Sequence, residues 1–141
     1  MKKLLVVAIA GVLASGMAFA APAPTHSAQD EILTAHAHAV MSSTADTVEI
    51  GHAHMQHVIN CLVGPKGKGF DAAPGTPCKG LGNGAIPDSK GDAALEAKLK
   101  AALVDAQAGL AAYTLAGIHA NGKKAAAALK TDDAAASASA W

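Results

Sequence analysis

The stretch Thr34–Cys61, TAHAHAVMSSTADTVEIGHAHMQHVINC, decides how the rest of the chain is read. It holds five of the seven histidines: His36 and His38 flank Ala37, His52 and His54 flank Ala53, and His57 follows one helical turn later. At about 100° per residue, one continuous helix puts Ile32, His36, Val40, Ser43, Thr47, Ile50, His54, Val58 and Cys61 on one face. His57 then lies at the edge of that face, and His38 and His52 on the opposite side. A break near Ser42-Ser43-Thr44 instead folds the stretch into a helical hairpin and brings the two His-Ala-His triplets opposite each other. Ser43 followed by Asp46 is a capping-type start signal for such a second helix. The sequence leaves both geometries open. In both, His54 and His57, at i and i+3, share one surface.

Downstream, Gly64-Pro65 predicts the end of the helical region near Val63. From there to Gly91 the chain reads GPKGKGFDAAPGTPCKGLGNGAIPDSKG, which has neither helical nor strand period. A loop of this length in a compact domain needs a tie. Cys61 and Cys78 are the two cysteines, and in an exported chain they are expected to be joined. A Cys61–Cys78 bridge pins the loop to the end of the histidine region, with Phe70 and Ile86 as its apolar anchors. The competing reading makes Cys61 a thiolate ligand one turn beyond His57. The glycines give no phosphate-binding loop, because neither a GK[ST] ending nor GxGxxG spacing is present.

Asp92 opens a second helical region. Leu95, Leu99, Ala102, Leu103, Ala106, Leu110, Tyr113 and Gly117 recur on one face, with Asn121-Gly122 as a stop and Lys123–Lys130 as one more short helix. His119 lies away from the leucine stripe and reads as a surface residue. The expected fold is therefore all-α: a long helical hairpin or small bundle, with a Gly/Pro-rich, disulfide-tied loop between helical regions 28–63 and 92–130. A bend in the first region lets one chain supply three or four helices, and two unbent hairpins could pair as a homodimer.

Upstream, Lys2-Lys3, the apolar run Leu4–Leu13 and Ala18-Phe19-Ala20 form a secretory signal over residues 1–20. The run is shorter than the ~20 residues that span a bilayer, so no membrane anchor is expected after its removal. Residues 21–27, which include His26, read as a linker, and 131–141 as a tail. Loss of Lys2 and Lys3 turns a chain balanced at 11 basic and 11 acidic residues into one about two charges negative. With no arginine and 3% aromatics, the sequence lacks the basic forks and stacking surfaces of a nucleic-acid binder. Alanine dominates the apolar residues and predicts close-packed helices with a thin core.

Imidazole suits copper, nickel, zinc and iron, and thioethers favour reduced copper; Met41 and Met55 lie near the triplets. The expected ligands are His36, His38, His52, His54 and His57, with His54 and His57 central. Affinity is expected to fall as pH drops through about 6.5, where free imidazole protonates. The alanine-rich helical pattern with His36-Ala37-His38 and His52-Ala53-His54 resembles the small histidine-rich periplasmic metal-binding proteins of Gram-negative bacteria. That resemblance implies reversible binding of copper, nickel or zinc on a helical bundle, for buffering, delivery or resistance in the periplasm or outside the cell. A second similarity is to b-type cytochromes, with haem held between His54 or His57 and His119 or Met41; no CxxCH is present for covalent attachment. A third expectation is a structural or adaptor protein with pH-sensing histidines. No HExxH occurs, and no enzyme activity is expected.

Overall fold

A computed structural model describes residues 28–130 of the chain. The expectations of a signal, a linker and a tail fall on residues outside that range. Five helices and no strand are formed among the described residues: α1 (Ala28–Ser43), α2 (Val48–Val63), α3 (Ala85–Asp88), α4 (Ala93–Leu110) and α5 (Leu115–Leu129).

The first helical region is bent. Ser42 and Ser43 turn their hydroxyls onto backbone carbonyls, Gly51 O for the buried Ser42 and Val40 O for Ser43. The Ser43 bond, to a carbonyl of its own helix, competes with helix continuation, and the Ser42 bond ties the end of α1 to the first turn of α2. The second helix starts at Thr47, whose side chain accepts from Ile50 N–H, one turn later than the Ser43 signal predicted. The residue that caps is the one with extended backbone just outside the helix, and Ser43 still belongs to α1. The second region is also bent. Ala111–Thr114 forms a turn, and Thr114 caps α5 through Gly117 N–H. Tyr113, expected on the packed stripe, sits in this turn 95% exposed. Asn121-Gly122 does not stop a helix: α5 runs through it, because Gly122 is buried where α5 crosses the end of α1 and a side chain there would meet Ser43 and Ala39.

Two helical hairpins, α1–α2 and α4–α5, thus pack as an up-down-up-down bundle, with α1 against α5 and α2 against α4. The core is thin, as the composition predicted. Ala35, Ala39, Ala102, Ala106 and Ala125 are fully buried between Ile32, Met55, Ile59, Leu62, Leu99, Ile118 and Leu129. Small residues set the approach distances. Gly109 receives Met55, and a Cβ at Gly51 would lie 2.7 Å from Ile118 Cγ2.

The connection from α2 to α4 is ordered by three ties. Cys61 and Cys78 are joined, with Cα atoms 5.3 Å apart, which rules out a Cys61 thiolate ligand. Gln56 and Asn60, both buried on α2, bind the loop through its backbone: Gln56 Nε2 donates to Gly69 O, Asn60 Nδ2 donates to Asp71 O and Gly75 O, and Asn60 Oδ1 accepts from Asp71 N–H. The buried Glu31 on α1 accepts from Gly84 N–H, and Gly84 leads into α3, a single helical turn where the sequence suggested only loop. Gly64 closes α2 with φ 69°, and a side chain there would collide with Asn83 O.

Candidate metal centre

The bend at Thr44–Asp46 sets α1 antiparallel to α2 and brings His38 to His54 and His57. His38 Nδ1 lies 3.0 Å from His54 Nδ1 and 3.3 Å from His57 Nδ1. The ring centroids are 4.6 to 5.8 Å apart, and one ring nitrogen from each residue falls within 4.8 Å of the others. A tetrahedral ion with metal–nitrogen bonds of 2.0–2.1 Å has ligand nitrogens about 3.3 Å apart. The His38–His57 distance equals such an edge, and the His38–His54 distance is slightly shorter.

The rings are oriented from behind. His57 Nε2–H donates to Pro74 O at 2.8 Å, so its Nδ1 presents a lone pair to the cluster. Metal-bound histidines commonly carry such a carbonyl partner on the far nitrogen. Pro74 is held in turn by Gly75, whose φ is 121° and whose added Cβ would lie 3.1 Å from His57 Nε2, and whose carbonyl is bonded by Asn60. The loop tied by Cys61–Cys78 therefore supplies the backing of one candidate ligand. None of these residues carries a sequence motif for the role, and only the Pro74-Gly75 turn signal marks the place.

Electrostatics favours the neutral form of His38 and His54. Burial, reinforced by His57 and His54, pushes the His38 pKa down from 6.5 to about 4. Burial, reinforced by His57, also lowers the pKa of His54. Three converging imidazoles cannot all be charged without repulsion, and the neutral form is the one that binds a metal.

His36 and His52 stand outside this group. His36 is half-buried on another face of α1, where burial and Lys130 lower its pKa. His52 Nε2–H donates to Ala112 O at 2.8 Å, across to the α4–α5 turn. His119, expected at the surface, makes the reverse bond from α5 to Ala45 O, also at 2.8 Å. In an i, i+2 pair the two side chains point about 200° apart around a helix, so each His-Ala-His triplet can commit one ring to the cluster at most.

No protein-family model, curated protein or solved structure matches this chain. The compositional resemblance to histidine-rich metal-binding proteins is not accompanied by a family match.

Proposed function

We propose that the protein binds one late first-row divalent metal ion, copper, nickel or zinc, through Nδ1 of His38, His54 and His57, and acts outside the cytoplasm as a metal buffer or carrier. The observation that supports this reading is the convergence of three imidazoles on one another, with His57 held in the ligating tautomer by Pro74. The disulfide fits an oxidising compartment, and no helix among the described residues is long and apolar enough to cross a membrane. We assign binding to the site, and no reaction. The haem reading gains nothing from the geometry: His119 is committed to Ala45, Met41 is 46% exposed, and the cavities of 320 Å³ and 720 Å³ beside the loop have no histidine in their walls.

The reading is tested by zinc titration followed through the imidazole nitrogens by NMR. Nδ1 of His38, His54 and His57 shift together at one equivalent, while His36 and His52 do not. Uniform small shifts across all the histidines would overturn it.

A further inference from the structure

The two hairpins match at one constant offset in their caps, cross-bonds and inner core positions. They differ where Glu31, Gln56 and Asn60, which hold the 64–91 connection, are buried and their counterparts Lys98, Lys123 and Ala127 are exposed. Thr47 and Thr114 both cap the second helix of their hairpin, each accepting from the N–H three residues on. At the same offset along the chain, His52 and His119 each reach across to the turn of the other hairpin. They bond Ala112 O and Ala45 O, which are themselves equivalent positions, both at 2.8 Å. The buried positions follow the same offset: Ile32 with Leu99, Ala35 with Ala102, Ala39 with Ala106, and Leu62 with Leu129. The packing is reciprocal as well. Met55 fills the space over Gly109, and Gly122, the counterpart of Met55, lies against Ala39 and Ser43, on either side of the counterpart of Gly109. Gly51 and Ile118, equivalent to each other, touch, as two residues on a shared two-fold axis must. An exchange of Gly for Met or Ile at matched positions hides the relation in sequence, because each large side chain on one hairpin is met by a small one on the other.

We infer that the chain is a pseudo-dimer of one helical hairpin, with α4–α5 in the place that a second copy of α1–α2 would take, and that it carries a second, latent metal-site position in the α4–α5 hairpin. The positions of His38, His54 and His57 are held there by Asp105, Asn121 and Lys124. Asp105 and Asn121 are half-buried, as His38 and His54 are, and Lys124 is exposed. The second position lacks a backing loop, because the stretch that carries Pro74 is tied to the first hairpin through Cys61, Gln56 and Asn60.

The metal readout of this inference rests on the reading that three imidazoles in this arrangement bind metal, and the experiment separates the two. The oxidised full chain and its Asp105→His/Asn121→His/Lys124→His variant are titrated with zinc, and helicity and melting temperature are recorded for both. The natural chain alone tests the metal reading. The difference in stoichiometry between the two proteins tests the pseudo-symmetry. One additional equivalent in the variant is expected, bound about 10- to 100-fold more weakly than the natural site because no carbonyl orients the ring at position 124. A natural chain that binds one equivalent beside a folded variant that binds no more overturns the inference alone, whereas a natural chain and a folded variant that both bind none overturn the metal reading and the latent site together. If the triple variant does not fold, Asp105→His/Asn121→His replaces it: these two rings should give a weak extra nickel site, and its absence overturns the inference equally.

Discussion

His38 is the residue on which the site turns, and its own sequence neighbourhood says little about it. In a straight helix it points away from His54; only the bend brings it within 3.0 Å. His54 and His57 were legible from spacing alone, since i and i+3 share a face in either geometry. His36 and His52 were not separable from the others, because a His-Ala-His triplet does not say which of its rings faces inward. Since the pKa values of His38 and His54 are lowered in the folded protein, the unfolded chain binds more protons than the native one on acidification. Stability is therefore full above about 6.5, the ordinary imidazole value, and declines as pH falls toward the His38 value of about 4. Chemical denaturation of the metal-free protein at about pH 7.5, 5.5 and 4.5, the first above that window and the other two within it, checks the slope; His38→Ala should flatten it. Gly75 gives a second expectation at this scale. Gly75→Ala places a methyl against His57 Nε2 at a φ of 121°, which should cost about 1 kcal/mol of stability and weaken metal binding about 10- to 100-fold, as read by thermal melting and by competition with a chelating dye.

Among the elements, the helices were readable and their breaks only partly so. Gly64-Pro65 ended α2 as expected, because Gly64 takes up a positive φ that other residues resist. Ala111–Thr114 gave no such signal: the turn contains neither glycine nor proline, and its only mark is Thr114 as a cap, a residue that also occurs within helices. Asn121-Gly122 misled for the opposite reason, since its glycine serves close packing of α5 on α1. The loop is the element that links fold to site. Reducing Cys61–Cys78 should lower stability by ~3 kcal/mol on the chain-entropy account and leave the helices in place. It should also weaken metal binding, because Pro74 is no longer held behind His57. Circular dichroism with and without a phosphine reductant, paired with a zinc titration, checks both. Unchanged affinity in the reduced protein would show that the loop does not position the ring.

At the scale of the whole molecule, the bundle closes on itself. α4–α5 covers the face of α1–α2 that an unbent pair of hairpins would have buried in a homodimer, and His52 and His119 tie the two halves at both turns. The all-helical class and the disulfide were legible because alanine content, period and cysteine count each point one way. Which helices neighbour which was not, because that order is set by the fit of Met55 on Gly109 and Ile118 on Gly51, small-to-large matches that no single segment displays. The proposed site holds one metal ion between the two helices of the first hairpin. Calorimetric titration of the tag-free, oxidised chain with zinc tests this most directly, run beside His38→Ala/His54→Ala/His57→Ala and beside the single variants His36→Ala and His52→Ala. One equivalent is expected for the natural chain and for both single variants, and binding weaker than about 1 mM, some −4 kcal/mol, for the triple variant. Equal binding by the triple variant and the natural chain, or no binding by the natural chain below millimolar zinc, would contradict the proposed site.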